Sequence, residues 1–447
     1  MSNKGYLTKI IYAALVISFI GILAIFTIQV SEAKESMQSL TIDQAVEIAL
    51  RENRNLMAAR IQVEEARGRL VQAGLFPNPE LESEFGFDSF FANEGERNFS
   101  AGISQPIPLS GRIGAQKRVA RVDIKRTFAG LADLERILVR EVRVTFIELL
   151  ASEEQLKLQE TLISLNSELI KGIEIGIKEG LASKQDFNAV AIALQQARQE
   201  KDVLIAQRRS KILQLNKLLG KPPTFSFLPW GELKYKSEKG LTDYSAEMAF
   251  VKRPDLKFAK LNIELASADL KLAKAQRFED LTAGIFYEND RLIFGTLQQE
   301  IADSDQLIGF RLTIPLPFFD RKQGLIAEVR ARERRAEERV GALKLTISQE
   351  VSDALNRVSS LSAILETYKS GILKIAEDNV TLVETGFKQG LVGIVNVIQS
   401  RQQFAALTSS YINAVRDYEI ALNDLQIAAG SYPGTIKLNK TNKDENR

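Results

Sequence analysis

The apolar residues of this chain recur mainly with a helical period, over unusually long stretches. One apolar seam runs through residues 343, 347, 351, 355, 358, 361, 365, 368, 372, 375, 379 and 382. Its mean step of about 3.5 residues is typical of coiled coils. Proline is absent from 109–221 and from 318–432, so neither stretch contains a strong helix breaker. The pattern predicts helices at about 41–73, 112–178, 183–219, 245–276, 322–388 and 393–429.

The lengths of these predicted helices are related. Helix 112–178 would extend about 100 Å at 1.5 Å per residue. The helices that flank it, 41–73 and 183–219, would together have nearly the same length. Two shorter helices stacked end to end beside one long helix would give a rod of uniform thickness, and the second half of the chain repeats this scheme.

Four shorter stretches alternate apolar and polar residues, as strands do: 81–87, 99–103, 281–287 and 308–314. Strands with one apolar and one polar face are typical of outer-membrane barrels, although a sheet that covers a soluble core shows the same alternation. Bacterial barrels begin at eight strands, so a barrel would need two or three copies of the chain. Glu80, Glu82 and Glu84 share one face, which predicts a solvated lumen wall; a metal-attracting track is the alternative.

The sequence also contains an internal duplication. Pro106-Ile-Pro108 returns as Pro315-Leu-Pro317 at an offset of 209, and Gly180-Leu181 returns as Gly390-Leu391 at an offset of 210. A long repeat of this kind indicates two equivalent half-molecules. We predict a first repeat at 34–220, a linker at 221–243 that forms a collar outside the helices, a second repeat at 244–430 and a tail at 431–447.

The N-terminus has the order of charge, apolar core and small residues that a secretory signal requires. Lys4 and Lys9 precede the apolar run 10–28, and cleavage after Ala33 would remove residues 1–33. An uncleaved membrane anchor is the alternative, because the apolar run is long for a signal. In both cases the rest of the chain leaves the cytoplasm.

The composition removes most enzyme classes. There is no cysteine and no histidine, so thiolate nucleophiles, serine–histidine pairs and the usual zinc ligands are excluded. The net charge of +2 gives no electrostatic reason to bind nucleic acid. A carboxylate-based hydrolase remains possible in principle, but no compact pair of acids is framed by pocket-forming loops. We expect neither catalysis nor a cofactor.

Several short motifs carry a resemblance to a known family. They are Leu40-Thr-Ile-Asp-Gln-Ala45, Arg51-Glu-Asn53, Pro77-Asn-Pro79-Glu-Leu81, Gln105-Pro-Ile-Pro108, and Gly180-Leu181 with Asp186. Together with the duplication, they resemble the TolC-like outer-membrane efflux channels, in particular the metal-cation efflux branch. The resemblance implies a mainly α fold with a small β part. Long antiparallel coiled-coil helices form an α-barrel tunnel, and four transmembrane strands per chain complete a twelve-strand barrel in a trimer.

The resemblance also implies passive conduction across the outer membrane. The expected partners are a homotrimer, the lipid bilayer, a periplasmic adaptor and an inner-membrane pump of the resistance-nodulation-division type, with no nucleic acid. The substrates would be metal cations or small toxic compounds. The alternative is a membrane-anchored periplasmic coiled-coil adaptor or scaffold, which the two hairpins and four strands disfavour.

Two sets of residues are candidate functional sites by this resemblance. The turns at Gly180, Leu181, Gly390 and Leu391 would contact the adaptor, although hairpin geometry alone also explains the glycines. The periplasmic constriction would involve Asp186, Asn396 and Gln399, with amides at the second-repeat positions where relatives place acidic residues. Asp186 would then supply a cation-selective ring; a helix cap or salt bridge near the turn is the alternative.

Overall fold

The computed structural model describes residues 38–87, 96–238, 240–296 and 299–431. The predicted signal segment and the tail beyond residue 431 lie outside them. The helices are α1 Ile42–Glu52, α2 Arg54–Gln72, α3 Arg112–Lys178, α4 Lys184–Leu219, α5 Ala246–Lys252, α6 Pro254–Ala275, α7 Gln323–Thr367, α8 Leu373–Lys388 and α9 Ile394–Ala428. The strands are β1 Gln38–Leu40, β2 Glu80–Phe87, β3 Arg97–Ile107, β4 Phe227–Pro229, β5 Leu281–Thr296 and β6 Gln299–Thr313.

The predicted end-to-end stacking of shorter helices beside a long one is present. Helix α3 has 67 residues, which corresponds to about 100 Å. Its first part packs against α2 and α6, and its later part packs against α4 and α9. Asn53, at the start of α2, donates from Nδ2 to the carbonyl of Leu218 at the end of α4, at 2.8 Å. The ends of α2 and α4 therefore meet beside the continuous long helix.

The first helix of each half is broken, which corrects the prediction of continuous helices at 41–73 and 245–276. Asn53 is extended (φ −61°, ψ 123°), and its side chain caps α2 by accepting from the amide of Leu56 at 3.0 Å. In the second half the break falls at Arg253, also extended, directly before Pro254. Proline disfavours helical backbone at the preceding residue, which explains the second break.

The end of the last helix in each half packs against the helix break in the same half. The chain leaves α4 through Gly220 and α9 through Gly430, both with left-handed backbone (φ +71° and +70°). A Cβ at Gly220 would lie 2.2 Å from the carbonyl oxygen of Glu52, and one at Gly430 would lie 2.8 Å from Cβ of Lys252. Arg253 joins the second contact by donating to the carbonyl of Ala428 at 3.3 Å. Glycine is required here by both backbone conformation and space.

The predicted helix 322–388 is interrupted by a π turn at Tyr368–Ile372, around Gly371 with φ 129°. Before the turn the predicted seam is correct, since Ile347, Val351 and Leu365 are buried. Beyond it the predicted seam is wrong. Ile375 and Leu382 are 70% and 72% exposed, and the half-buried positions fall one residue later, including 376, 380 and 383. A π turn adds one residue to the helical ladder and so rotates the following face.

The four long strands form one antiparallel sheet in the order β2-β3-β5-β6. The predicted strands are confirmed, and they extend further than predicted because β5 and β6 continue to residues 296 and 299. The register places Leu81, Ile103, Ile285 and Phe310 side by side across one face. Phe310 is 84% exposed, so no described part of the chain covers this residue on the apolar face.

Three apolar clusters hold the helices together. One joins α1 and α2 to α3 and α4 around Phe146 and Leu215. A second joins α5 and α6 to α7 and α9 around Ile347 and Tyr418. The segment 221–243 packs against both clusters: Phe227 is buried in the first, and the ring of Tyr235 lies edge-on to Tyr418 at 5.0 Å. The third cluster lies near the two hairpin turns. None of the helices in the described ranges combines the length and apolar content needed to cross a membrane.

Candidate functional site

The two hairpin turns that the sequence singled out have the same geometry. Gly180 and Gly390 are left-handed, with φ +73° and +72°. The amide of Leu181 donates to the carbonyl of Gly176 at 2.7 Å, and the amide of Leu391 donates to that of Gly386 at 2.8 Å. These are Schellman motifs, in which an αL residue lets the last carbonyls of a helix find donors. Hairpin geometry therefore accounts for both glycines.

The leucines after these glycines are not needed by the turns. Leu181 is 80% exposed and Leu391 is 74% exposed, although their amides take part in the motifs. An exposed leucine at the end of each of two neighbouring hairpins gives the end of the rod an apolar surface. Such a surface is suited to contact with another protein; contact with an adaptor remains a prediction.

Immediately after the turns the two repeats differ. Ser183 and Asp186 form a capping box at the start of α4: the Ser183 amide donates to the Asp186 carboxylate at 2.9 Å, and the Asp186 amide donates to the Ser183 hydroxyl at 3.1 Å. The Ser183 hydroxyl also donates to this carboxylate at 2.7 Å. These side-chain and backbone hydrogen bonds lower the pKa of Asp186. In α9 the equivalent N-cap is Gly393, which has no side chain to cap the helix.

Within one chain, Asp186 therefore acts as a helix cap, the alternative that the sequence left open. Asn396 and Gln399 are both exposed on α9, with the buried Val397 between them. The helices α3, α4 and α9 pack together here through Ile173, Val190, Ile394 and Val397, and α8 packs against them through Val383 and Phe387. The three constriction candidates thus lie near the turns, on helices held by a shared apolar cluster. Their role in a constriction remains a prediction.

Sequence reasoning missed Arg401, the charged residue at the centre of this region. Arg401 is buried, and its Nε and Nη2 donate to Glu384 at 2.8 and 2.6 Å. Its Nη1 lies 3.5 Å from Oδ1 of Asn166 on α3. One guanidinium therefore ties α9 to α8 and reaches the first hairpin. The sequence did contain a signal for the burial of Arg401. It follows the apolar Ile394 by seven residues, or two helical turns, so both lie on the same face of the helix.

The polar face of the sheet is strongly acidic. By register, Glu80, Glu82 and Glu84 share this face with Ser100, Ser104, Glu288, Asp290, Asp303, Asp305 and Arg311. Arg311 is the one basic residue on this face of β2, β3, β5 and β6 as described. It lies 3.6 Å from the Glu82 carboxylate and stacks over the ring of Phe286 at 4.9 Å. The predicted grouping of the three glutamates on one face is therefore present, within a larger acidic surface.

These carboxylates are spread along the strands. Among the described residues, no group of three or more acidic side chains is arranged to hold a metal ion. Asp290 accepts a hydrogen bond from Nδ2 of Asn98 at 2.6 Å, and Glu82 forms an ion pair with Arg311. The surface can thus interact with mobile cations through its field, with the carboxylates acting separately.

Comparison with known proteins decides the family. A family model described as outer membrane efflux protein matches residues 45–221 and 246–431, which is most of the chain. The chain belongs to this family. Its members are passive outer-membrane efflux channels, so the chain lies in the outer membrane with its helical tunnel in the periplasm. The α-barrel and β-barrel fold implied by the resemblance is confirmed.

Individual relatives are distant in sequence, and their alignments cover most of this chain. The cobalt-zinc-cadmium resistance protein CzcC of Cupriavidus metallidurans is 21% identical over 382 residues, which are 86% of this chain and 88% of CzcC. The pyoverdine export outer membrane protein OpmQ of Pseudomonas putida is 22% identical over 370 residues, 77% of this chain and 70% of OpmQ. A crystal structure of CusC superposes with a TM-score of 0.72 at 17% identity, over 89% of this chain and 93% of CusC.

Proposed function

We propose that three copies of this chain form an outer-membrane channel that passively conducts cationic substrates, delivered by a periplasmic adaptor and an inner-membrane pump of the resistance-nodulation-division type. The observation that carries the proposal is the acidic polar face of the sheet. No catalytic residue or cofactor is needed, because conduction follows the concentration that the pump maintains.

Assembly is needed to complete the barrel. Among the described residues, β2 and β6 form the two edges of the sheet, and exposed edges tend to pair with another strand. Three copies would give twelve strands, and pairing β6 of one copy with β2 of the next would leave no edge. The apolar face would then meet lipid, and the acidic face would line the lumen.

The charge of that lumen would favour cations. Each chain would contribute seven strand carboxylates and one guanidinium, that of Arg311. A narrow, low-dielectric wall of one sign of charge concentrates counter-ions and repels ions of like charge. Divalent metal cations are therefore the favoured substrate class, in line with the cobalt-zinc-cadmium resistance that gives CzcC its name. Export of pyoverdine, from which OpmQ takes its name, is the second candidate, but the acidic face gives no specific reason to expect it.

The hairpin ends have two further roles in this proposal. Leu181 and Leu391 contact the adaptor through their exposed side chains. Asp186, repeated three times around the axis, supplies the acidic ring of the periplasmic constriction, with Asn396 and Gln399 as the second-repeat positions. The Asp186 carboxylate can cap its helix and still contribute charge, since it stays ionised in the capping box.

Ion selectivity in planar bilayers tests the proposal. In a potassium chloride gradient, the reversal potential of the purified channel should have the sign that indicates greater permeability to potassium than to chloride. The triple variant Glu80→Gln, Glu82→Gln, Glu84→Gln should move the permeability ratio towards unity, whereas Arg311→Gln should move it the other way. These opposite shifts come from the same face, so a general effect on folding cannot produce both. An anion-selective wild type, or a triple variant with unchanged selectivity, would contradict the proposed function.

A further inference from the structure

Two arginines face each other on the apolar side of the sheet, at the loop end of β3 and five residues before the loop end of β5. Arg97 of β3 and Arg291 of β5 are directly opposite in the register. They share a face with Phe99 and Tyr287, which lie on the same two strands. The rings of Phe85, Phe99 and Tyr287 form a row, with centroids 5.0 and 6.4 Å apart. The arginines lie just beyond this aromatic row.

Neither arginine has a counter-charge in the described part of the chain. Both are exposed, and no described carboxylate oxygen lies within 4.0 Å of either guanidinium. Asp290 points to the other face, where it is bonded by Asn98. Glu96 accepts from the amide of Ile293 at 3.4 Å. Like charges directly opposite in a sheet destabilise it, so an anion held between them would relieve a local cost.

The height of the pair matches the outer boundary of a membrane. All four strands have their other ends joined to helices, so the loop end is the extracellular end of the barrel. Ten residues separate Leu281, near the helices, from Arg291. At about 3.4 Å per residue and a tilt of about 40°, they span about 25 Å, the height of the apolar band of such barrels. Arg291 and Arg97 therefore lie where lipid headgroups begin.

We propose that Arg97 and Arg291 form a binding site for the phosphate groups of a phosphorylated outer-leaflet lipid. Guanidinium groups present planar pairs of donors that match phosphate oxygens, and two of them can share one phosphate or bind two neighbouring ones. The site anchors the outer rim of the barrel to the leaflet while the carboxylates on the opposite face remain in the lumen. This inference rests on the membrane insertion in the proposed function.

Lipid binding by the purified, full-length channel in detergent tests the site. The probes are bis-phosphorylated lipid A, the same lipid after removal of its phosphates, and inorganic phosphate. Replacing both residues, Arg97→Gln with Arg291→Gln, should weaken binding of the phosphorylated lipid by about thirtyfold, because each surface arginine contributes about fivefold. Arg97→Lys with Arg291→Lys should retain most of the affinity because the charge is kept.

Arg198→Gln with Arg209→Gln is the charge-matched control, since both residues are exposed on α4, outside the sheet. This control should bind the phosphorylated lipid as the wild type does. The proposal is wrong if the double glutamine variant binds equally well, if the dephosphorylated lipid binds the wild type equally well, or if inorganic phosphate competes as a free anion. Should the glutamine variant fail to fold, the comparison of phosphorylated with dephosphorylated lipid, made on the wild type and on the lysine variant, still tests the site.

The outcome is separable from that of the proposed function. Loss of lipid binding in the glutamine variant with cation selectivity retained supports this site specifically. A wild type without cation selectivity that still binds phosphorylated lipid through these arginines would contradict the proposed conduction and leave the lipid site standing.

Discussion

Two glycines in the first repeat allow backbone strain to be separated from crowding. Gly180 and Gly220 both follow long helices, and their φ angles are +73° and +71°. Alanine should therefore cost the same strain at both positions, about 1–2 kcal/mol for a left-handed residue with a Cβ. The surroundings differ: a Cβ at Gly180 meets nothing within 4 Å, whereas one at Gly220 lies 2.2 Å from the Glu52 carbonyl oxygen.

The added cost at Gly220 follows from what must move. The end of α4 has to separate from the break between α1 and α2, and overpacking of this kind costs about 1–3 kcal/mol. Separation also strains the hydrogen bond from Asn53 to Leu218, a net contribution of about 1 kcal/mol. Gly220→Ala should thus destabilise by about 3–6 kcal/mol, against about 1–2 kcal/mol for Gly180→Ala.

Urea unfolding followed by helical circular dichroism measures the difference. Both variants are compared at the same protein and detergent concentrations, because assembly shifts apparent stability. The second repeat offers a replicate, since a Cβ at Gly430 lies 2.8 Å from Lys252 while one at Gly390 meets nothing within 4 Å. Equal destabilisation at Gly180 and Gly220 would refute the tight contact between the end of α4 and the helix break.

Four further predictions concern the hairpin ends. Leu181→Asp with Leu391→Asp should lower efflux-dependent resistance without lowering the amount of channel in the membrane, and unchanged resistance would exclude the adaptor contact. Asp186→Asn should reduce cation preference in planar bilayers if this carboxylate lines the constriction; the same preference as wild type would remove it from that role. Ser183→Ala should destabilise the first tip by about 1 kcal/mol and Gly393→Ser should stabilise the second by a few tenths, as read by hydrogen exchange. Because the folded pKa of Asp186 is lowered, the stability that it contributes is present above the ordinary aspartate pKa of about 3.9 and is lost as pH falls through the lower folded value. The protection factor of the first hairpin tip, corrected for the intrinsic pH dependence of amide exchange, should therefore fall on acidification below about pH 4, and a protection factor that does not change with pH would contradict the capping box.

Much of the fold could be predicted because the patterns are long and regular. The alternation in 281–287 identified a strand, and the seam through Ile347 and Val351 identified a packed helical face. Gly180 marked a turn because only glycine adopts the left-handed backbone at no cost. These features depend on local sequence, so they can be predicted without knowing which residues pack against them in the folded protein.

The missed features depend on partners that are distant in sequence. Asn53 sits within an apparently continuous helical pattern, and its role as a break becomes clear only with Leu218 opposite it. Arg253 could have been identified as a break from the proline that follows. Arg401 looks like a solvated charge until Glu384 on the neighbouring helix is placed beside it. Arg97 ends a strand whose length cannot be judged from the apolar residues alone.

The π turn at Tyr368–Ile372 gives the two copies of one helix different outward faces. The offset between the copies is 209 at Pro106 and Pro315, 211 where α3 and α7 begin at Arg112 and Gln323, and 210 where α3 and α8 end at Lys178 and Lys388. The helical span of the second repeat therefore has 66 residues against 67 in the first, so the widening around Gly371 contains no inserted residue. Two descendants of one duplicated sequence thus present different faces to their surroundings through a local change in helical winding, with almost the same number of residues in the rod.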